Sequence, residues 1–266
     1  MSDRSMRGLD GRVAIVTGAS RGIGKALAIG LARDGAAVVC AARTETEEPG
    51  GLPGTIHSTA RAIEDDGGRA LAVRCDVSNA ADLASLVDST TAHFGRVDVL
   101  VNNAMAPTRS AFDEMTVEMW DESMTTNVRS LFLLCKLVAP PMSSQGGGSI
   151  VNISSGAAEH TVSATMPPGY SIYVVAKAAM ERLTTALAGE LRDRGITINA
   201  LRPGAVKTEL ATRDLGEDFD WSGWNAPESV VPSVVFLARQ IGTDFTGRIV
   251  DVAHFGTTWP EHLDQP

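Results

Sequence analysis

Short β-branched segments alternate with amphipathic helical patterns along almost the whole chain, and this alternation limits the fold more than any other feature. Apolar, β-rich runs occupy residues 13–17, 38–42, 70–75, 97–101, 149–153, 196–201 and 249–252. Helical spacing of apolar residues occupies the intervals 25–34, 56–63, 83–90, 120–138, 173–192 and 227–239. Strict alternation predicts a parallel sheet with right-handed crossovers and helices on both faces. We therefore predict a single doubly wound α/β domain with seven parallel strands over residues 1–266.

The composition of the chain excludes several other classes of protein. Of its 266 residues, 44% are hydrophobic and 21% are charged, which is ordinary for a globular domain. The net charge of −9 disfavours binding to nucleic-acid phosphates, and no dense basic run favours an anionic membrane surface. We expect neither a signal peptide nor a membrane span, because no apolar run approaches about 18 residues. Three scattered cysteines do not make a disulfide framework, so we expect a cytoplasmic protein without nucleic-acid or membrane partners.

A glycine-rich segment, TGASRGIG at residues 17–24, directly follows the first predicted strand. Glycines allow a tight turn into a helix and the close approach of a pyrophosphate, which the free N–H groups of the helix start then bind. The spacing GxxxGxG differs from the common GxGxxG, but its position between strand and helix favours a dinucleotide site over a plain turn. The predicted cofactor-binding residues in this segment are Gly18, Ser20, Arg21, Gly22, Ile23 and Gly24.

The end of the second predicted strand indicates which nicotinamide cofactor is preferred. A carboxylate there would bind both ribose hydroxyls and repel a 2′-phosphate. Ala42 stands at that place and Arg43 follows it, while Arg21 can extend to the same region. Two guanidinium groups suit a phosphate dianion, so we predict NADP in preference to NAD. The alternative is that Arg43 only pairs with the acidic residues Glu45, Glu47 and Glu48.

Tyr173 and Lys177 lie one helical turn apart at the start of the long predicted helix, so they share a face. A tyrosine has a pKa of about 10, and a fixed ammonium beside it favours the phenolate form. Such a pair suits proton transfer at neutral pH. Strand 149–153 precedes this helix and ends at the same sheet edge as the glycine-rich segment. Tyr170 has Val174 one turn further on, which cannot supply the charge.

Six motifs in this order resemble the short single-domain branch of the short-chain dehydrogenases/reductases, from about residue 9 to 252. They are TGASRGIG, NNA at 102–104, Asn127, NISS at 152–155, YVVAK at 173–177 and RPG at 202–204. Residues 54–71 are also similar to the hydroxysteroid-dehydrogenase-like members. The resemblance implies a Rossmann domain, hydride transfer between NADP(H) and a carbonyl or alcohol, and a homotetramer or homodimer.

The resemblance also implies roles for individual residues. Tyr173 exchanges a proton with the substrate oxygen, and Lys177 lowers the pKa of that tyrosine and holds the nicotinamide ribose. Ser155 stabilises the substrate oxygen, and Asn127 anchors a water in a proton relay behind Lys177. The other implied cofactor contacts are Asp76 and Val77 near the adenine, Asn103 and Ala104 at its ribose, and Pro203, Gly204 and Thr208 at the nicotinamide. Three alternatives stay open: a strand-end cap for Ser155, an ordinary helix residue for Asn127, and a turn former for Asp76.

The chain departs from the family pattern near the expected substrate. Met105 replaces the usual glycine after NNA, and His254 ends a segment where the family has a glycine pair. The interval between Ser155 and Tyr173 is longer than usual, so residues 159–169 could form a pocket wall. A second insertion-like stretch, 44–53, is most simply a solvated loop.

The substrate itself is less constrained than the cofactor. The expected substrate loop, 205–226, carries Phe219, Trp221 and Trp224, which favour an apolar carbonyl or alcohol compound, with core or subunit packing as an equal alternative. The histidines show no paired spacing, so we predict no metal. The leading prediction is an NADPH-dependent carbonyl reductase, and the rival is an NAD(P)-binding sensor or scaffold without turnover. A sugar-nucleotide epimerase or dehydratase is disfavoured by the chain length and the glycine spacing.

Overall fold

Seven parallel strands form one sheet in the order β3-β2-β1-β4-β5-β6-β7. The protein is seen in a computed structural model that describes residues 8–159 and 169–260. The strands are β1 (Val13–Thr17), β2 (Ala37–Ala42), β3 (Arg69–Arg74), β4 (Val99–Asn102), β5 (Gly148–Ile153), β6 (Ile196–Arg202) and β7 (Ile249–Asp251). The prediction of seven parallel strands is confirmed.

The helices lie against both faces of this sheet. They are α1 (Gly22–Arg33), α2 (Ile56–Asp65), α3 (Ala80–Phe94), α4 (Val117–Met124), α5 (Ser130–Ser144), α6 (Ser171–Leu191), α7 (Glu209–Leu215) and α8 (Val231–Ala238). The proline expected at the start of the last helix, Pro227, opens a 3₁₀ turn (Pro227–Val230) that leads into α8.

Two apolar clusters fill the space between the sheet and the helices. Residues alternate along β1, where Val16 faces the cluster under α1, α2 and α8, and Ile15 faces the cluster under α3, α5 and α6. All five residues of β1 are buried, because both faces of the sheet are covered. This explains why the central strands are continuous apolar runs rather than alternating ones.

The helix predicted over residues 120–138 differs in the structure. It begins at Val117, changes to a π-helical segment (Thr125–Arg129) and continues as α5 to Ser144. Prolines 140 and 141 lie inside α5, although an interior proline costs a helix roughly 3 kcal/mol. The last turn of α5 nevertheless stays packed on the sheet, because Met142 is buried in the cluster under α3, α5 and α6.

Helix α7 was not predicted from the sequence. It lies within the expected substrate loop, and the hydroxyl of Thr208 accepts a hydrogen bond from the Ala211 amide at 3.2 Å to cap its start. Helix α7 has only seven residues and none of them is buried, so it lacks the apolar periodicity by which the longer helices were recognised.

Asp98 fastens β1, β4 and β5 together at the amino edge of the sheet. Its side chain is fully buried and accepts hydrogen bonds from the Val13 amide at 2.9 Å and from the guanidiniums of Arg12 and Arg96. Its backbone carbonyl accepts from the Ser149 amide at 2.8 Å. Burial alone would raise the pKa of Asp98, but the hydrogen bonds from Arg96, Arg12 and Val13 outweigh it and hold that pKa below its usual value.

We expect Asp98→Asn to lower the free energy of unfolding by about 3 kcal/mol at neutral pH, because two guanidiniums lose their buried partner. A depressed folded pKa stabilises the protein above the unfolded pKa of about 4, and this contribution is lost as the pH falls through the folded value. Urea unfolding at pH 7 and at pH 3 should therefore show the difference from the wild type shrinking in acid.

The matched control for Asp98→Asn is Asp66→Asn, which removes an exposed ion pair with Arg33. Exposed pairs contribute little, so we expect a change below about 0.5 kcal/mol. Equal losses in the two variants would show that Asp98 does not fasten the sheet.

Candidate active site

The predicted site residues collect at the carboxyl edge of the sheet. The order of strands reverses between β1 and β4, and a crevice at such a reversal is where doubly wound sheets bind their ligands. The segments that follow β1, β2, β3, β4, β5 and β6 all reach this edge. They carry Gly18, Arg43, Asp76, Asn103, Ser155 and Pro203.

The glycine-rich turn leads from β1 into α1 as predicted. Gly18 and Gly22 have φ angles of +68° and +54°, a region that favours glycine. A Cβ on Gly24 would collide with the carbonyl of Gly18. Helix α1 begins at Gly22 without a side-chain cap, so its first amides are available to an anion. Ser20 is buried in the turn, and Ile23 packs against the core.

Thr17 braces the two loops that flank the crevice, a role that the sequence reasoning missed. Its hydroxyl accepts hydrogen bonds from the amides of Asn103 at 3.0 Å and Ala104 at 3.1 Å, and it donates to the Val101 carbonyl. The Asn103 side chain donates back to the Thr17 carbonyl at 2.8 Å. Asn103 and Ala104 therefore reach the predicted place, locked to the end of β1.

Arg21 holds the 44–53 stretch over the glycine-rich turn. Its guanidinium donates to the carbonyls of Pro53 at 2.9 Å, Leu52 at 3.1 Å and Gly54 at 2.9 Å. Glu47 accepts from the Gly54 amide at 2.9 Å, which closes the same stretch from the other side. Arg21 also donates to the Thr44 hydroxyl at 3.4 Å, so its guanidinium lies next to the residue after Arg43 while most of its donors are taken by backbone carbonyls.

Arg43 lies at the end of β2, exposed and close to Asp76. Burial would raise the pKa of Asp76, but hydrogen bonds from Ser78 and the charges of Arg43 and Arg74 lower it below its usual value. Asp76 accepts from the amide and the hydroxyl of Ser78 at 2.9 and 2.7 Å, so it does form the turn proposed as the alternative.

Other partners take up most of the acids considered as alternatives for Arg43. Glu45 lies 3.5 Å from His57, and Glu47 binds the Gly54 amide. Among the residues that the structure describes, Arg43 has no ion pair within 4.0 Å. Val77, next to Asp76, packs against the apolar cluster under α3.

Ser155 and Tyr173 come together above the end of β5. Burial raises the pKa of the Tyr173 phenol, while its hydrogen bond with Ser155 and the positive charge of Arg109 oppose that rise. The hydroxyl of Ser155 also accepts from the Ala157 amide at 3.2 Å. Ser155 therefore caps the turn after β5, as in the alternative interpretation, and contacts Tyr173 as well.

Lys177 lies under Tyr173 and is almost completely buried. Its ammonium is 5.7 Å from the centre of the Tyr173 ring and donates to the Ile153 carbonyl at 2.7 Å. Burial lowers the pKa of Lys177 to about 8, and the negative charge of Glu181 opposes this. A cationic lysine can lose its proton near neutral pH in this setting, which is the property a proton relay needs.

Glu181 continues the same face of α6 one turn beyond Lys177, a residue that the sequence reasoning missed. It is buried and accepts from Arg202 at 2.8 and 2.9 Å and from the Ser154 hydroxyl at 2.7 Å. Arg202 belongs to the RPG motif, so this bidentate pair ties α6 to the end of β6. The spacing of 173, 177 and 181 was the available signal.

Asn127 lies in the π-helical segment and is buried. Its amide group accepts from the Ala106 amide at 3.0 Å and donates to the Ala106 carbonyl at 3.2 Å and to Ser123 at 3.1 Å. It therefore braces the loop after β4. One lone pair of its oxygen is left for a water.

The loop after β6 folds over the glycine-rich turn. A Cβ on Gly22 would lie 3.2 Å from a methyl carbon of Thr208 and 3.4 Å from a carboxylate oxygen of Glu209. That oxygen is buried without a hydrogen-bond partner in the described part of the chain. Pro203 is buried, and Gly204 has a φ of +76° that turns the chain into this loop. Thr208 thus reaches the predicted cofactor crevice.

The aromatic residues of the substrate loop form a small cluster of their own. Phe219, Trp221 and Trp224 make edge-to-face contacts with centroid distances of 5.0, 5.8 and 5.1 Å. Lys207 lies 4.8 Å from the Trp221 ring. None of the three aromatics belongs to the apolar clusters under the helices, so core packing does not explain them.

Neither a metal site nor a membrane span is evident in the part of the chain that the structure describes. No group of three or more His, Cys, Asp or Glu side chains there is placed to hold a metal ion. No helix there is long and apolar enough to cross a bilayer.

Comparison with known proteins identifies the family. A model described as short chain dehydrogenase matches residues 12–217. The chain is 36% identical over 255 residues to a 3-oxoacyl-[acyl-carrier-protein] reductase from Synechocystis sp., covering 93% of this chain and 97% of the relative.

Two solved structures extend the comparison. A 7α-hydroxysteroid dehydrogenase complexed with NADH and 7-oxo glycochenodeoxycholic acid is 30% identical, with a TM-score of 0.80 and coverage of 94% of this chain and 96% of that chain. A structure from Beutenbergia cavernae, proposed to be an NAD(P)-dependent gluconate 5-dehydrogenase with NADP bound at low occupancy, is 33% identical, with a TM-score of 0.81 and coverage of 93% and 97%.

The chain therefore belongs to the short-chain dehydrogenase/reductase family, as its motifs predicted. It has the Rossmann-type α/β fold, and it is an NAD(P)-dependent oxidoreductase that acts on CH–OH or C=O groups.

We expect Glu181→Ala to lower the free energy of unfolding by about 3 kcal/mol, because Arg202 and Ser154 lose a buried hydrogen-bonded partner. Chemical denaturation at neutral pH measures the loss. Glu190→Ala, an exposed position on the same helix, is the matched control, with an expected change within about 0.5 kcal/mol. Similar losses in both variants would mean that the Glu181–Arg202 pair does not hold α6 to the sheet.

Proposed function

We propose that the protein is an NADPH-dependent reductase that interconverts a carbonyl and an alcohol on a small molecule with an apolar body, with Tyr173 as the general acid and base. One observation carries the proposal: the buried Lys177 ammonium lies 5.7 Å from the centre of the Tyr173 ring, and Ser155 is close enough to oppose the rise in the pKa of that phenol, at the carboxyl edge of the sheet. A bound nicotinamide supplies the hydride, and the chain supplies the proton and the geometry.

Each member of this group has a separate task. Ser155 donates a hydrogen bond to the substrate oxygen and stabilises the charge that develops there. Tyr173 delivers its phenolic proton to the same oxygen during reduction, or accepts it during oxidation. The Lys177 ammonium stabilises the phenolate that is left, which lowers the pKa of Tyr173 once the site is closed to water.

The proton that Tyr173 loses must be replaced through the protein. Lys177, whose pKa is about 8, can pass a proton on near neutral pH. We propose that Asn127 anchors a water behind it through the free lone pair of its side-chain oxygen. The brace between Asn127 and Ala106 keeps that oxygen in place.

We assign different crevice residues to the different parts of the dinucleotide. The free amides at the start of α1 support pyrophosphate binding there, together with the glycine turn. We place the adenine against Asp76 and Val77, its ribose against Asn103 and Ala104, and the nicotinamide end against Lys177 and the loop after β6. The proposed set is Gly18, Ser20, Arg21, Gly22, Ile23, Gly24, Arg43, Asp76, Val77, Asn103, Ala104, Tyr173, Lys177, Pro203, Gly204 and Thr208.

The preference for NADP rests on the end of β2. Of the two solved relatives described above, one holds NADH and the other NADP. Ala42 offers no carboxylate to repel a phosphate, and Arg43 has no competing ion pair within 4.0 Å in the described residues. Arg21 donates to backbone carbonyls, so we assign the phosphate mainly to Arg43.

The substrate body is proposed to contact the aromatic cluster of the substrate loop. Phe219 is 37% exposed and sits outside the core, so its ring is available to an apolar partner. The relative complexed with 7-oxo glycochenodeoxycholic acid accommodates a large, mainly apolar ketone, which supports this assignment.

Two further properties stay predictions. A homotetramer or homodimer follows from the family resemblance, and exposed apolar residues on α4, α5 and α6 offer a surface for it: Trp120, Phe132 and Val175. A cytoplasmic location accords with three buried cysteines that carry no disulfide.

Replacing Tyr173 by Phe removes the acid and leaves the shape of the site. We expect turnover to fall about a thousandfold while NADPH affinity stays within about twofold, because only the proton transfer is lost. A panel of ketones and aldehydes, followed by NADPH absorbance, measures the first quantity, and fluorescence titration the second. If Tyr173→Phe retained the wild-type rate, another residue would be the acid. If the wild type reduced none of the compounds, the result would favour the alternative of an NAD(P)-binding sensor without turnover.

Replacing Arg43 by Ala tests the cofactor preference. We expect the Kd for NADPH to rise by about 10- to 100-fold and the Kd for NADH to change less than about twofold, because only NADPH carries the 2′-phosphate. Arg61→Ala, an exposed arginine on α2, is the matched control and should leave both constants unchanged. A wild type that binds NADH more tightly than NADPH would overturn the proposed preference.

A further inference from the structure

The loop that follows β4 reaches across to the first turn of α6. The Ser110 amide donates to the Gly169 carbonyl at 3.1 Å. A Cβ on Gly169 would lie 3.6 Å from the Ser110 backbone, so the two segments are in close contact. This contact brings Arg109, the residue before Ser110, to the start of α6, where it meets Tyr170.

The guanidinium of Arg109 contacts Tyr170, which in turn contacts Tyr173. Its central carbon lies 4.6 Å from the centre of the Tyr170 ring, a distance typical of a cation–π contact. Tyr170 in turn meets Tyr173 edge to face, with 6.3 Å between ring centres. Arg109 thus holds a fixed position one aromatic ring away from the proposed acid.

The electrostatic consequence reaches the phenol itself. The positive charge of Arg109 opposes the rise that burial causes in the pKa of Tyr173. This effect agrees with the geometry, in which Arg109 contacts Tyr170 and Tyr170 contacts Tyr173.

The donors of Arg109 are not used by the part of the chain that the structure describes. Arg21 donates to backbone carbonyls and Arg202 to a carboxylate at 2.8–3.1 Å, whereas no described group accepts a hydrogen bond from Arg109. Its side chain is 44% exposed. A guanidinium presents a planar fork of donors that matches a carboxylate.

Asp214 on α7 is the acidic residue that forms an ion pair with Arg109, and it does not accept a hydrogen bond from the guanidinium. The shortest distance between the two side chains is 4.0 Å, longer than a hydrogen bond. Asp214 already accepts two hydrogen bonds from Arg213, at 2.8 and 3.0 Å. Among the described residues, the charge of Arg109 is therefore only partly compensated.

We propose that Arg109 binds a carboxylate carried by the substrate, so that the compounds this site reduces are keto acids with an apolar body. This deepens the proposed function and rests on it. The carboxylate fixes one end of the substrate, and the aromatic cluster of the substrate loop contacts the body. The carbonyl is then held at Ser155 and Tyr173.

The test uses pairs of compounds that differ only in charge. Each keto acid of a panel that includes 4-acetylbenzoate is assayed beside its methyl ester, as turnover with NADPH and as binding to the enzyme loaded with NADP⁺. We expect the acid to have the lower KM and the tighter binding in the wild type. In Arg109→Gln the KM for the keto acid should rise by about 10- to 100-fold, and the KM for its ester should change less than about twofold.

Two variants separate substrate binding from a structural role. Arg109→Lys keeps the charge but loses the planar fork, so part of the preference for the acid should return. Asp214→Asn removes the neighbouring acid and should leave the preference for the acid in place or strengthen it. If Arg109 instead served as a latch for α7, Arg109→Gln and Asp214→Asn would impair acid and ester alike, and the proposal would be overturned.

The outcomes also separate this proposal from the proposed function. If the enzyme reduces the ketone of the methyl esters with the help of Tyr173 and shows no preference for the acids, the role of Arg109 is overturned and the proposed reductase function stands. Tighter binding of acids than esters in the wild type, lost in Arg109→Gln but without turnover, supports the carboxylate site and counts against the reductase. Equal binding of acid and ester in the wild type overturns the carboxylate site in every case.

Discussion

Burial of the central strands on both faces is the constraint on which the rest of the molecule depends. A strand covered on both sides must pair all its backbone groups within the sheet, so a polar side chain inside it needs a buried partner. Asn152 in β5 meets this demand by bonding Asn102 in β4 and Thr184 in α6. Groups that must meet a ligand therefore lie beyond the strand ends. Parallel strands bring those carboxyl ends to one edge, which is why the crevice forms there and not elsewhere.

The same constraint explains the arrangement of charges along α6. Lys177 is buried, and an ammonium in such a place loses its charge unless other groups stabilise it. The Ile153 carbonyl does so directly, and Glu181 does so through its charge from one turn away. Glu181 is itself buried and needs the bidentate contact with Arg202. Pro203 and Gly204 of the RPG motif are proposed to contact the nicotinamide. Arg202 of the same motif holds Glu181 in place, and the charge of Glu181 stabilises the Lys177 ammonium.

Periodicity and strand–helix alternation were sufficient to predict the strands and the long helices, and these placed Ser155 and Tyr173 at one sheet edge, whereas their shared role at a substrate oxygen is implied by the family resemblance. These features depend on residue spacing along one segment, or on the rule that parallel strands end at one edge. The π-helical segment around Asn127, the short α7 and the contacts of Arg21 could not be predicted in this way. Each depends on partners far away in the sequence, such as Ala106 for Asn127 and the 52–54 carbonyls for Arg21. The predicted pocket wall at 159–169 lies mostly outside the described residues.

The arginines near the crevice show why residue type alone does not reveal a binding site. Arg21 and Arg109 have the same donors and both lie in loops at the carboxyl edge, yet their contacts within the chain differ. The guanidinium of Arg21 donates hydrogen bonds to backbone carbonyls, and these bonds hold a loop over the glycine-rich turn. Arg109 is positioned over the Tyr170 ring, with its central carbon 4.6 Å from the ring centre, and no group among the described residues accepts a hydrogen bond from it. A cation that is held in place, and whose donors no described residue takes up, is preorganised for an anion, since little ordering remains to be done when the ligand binds.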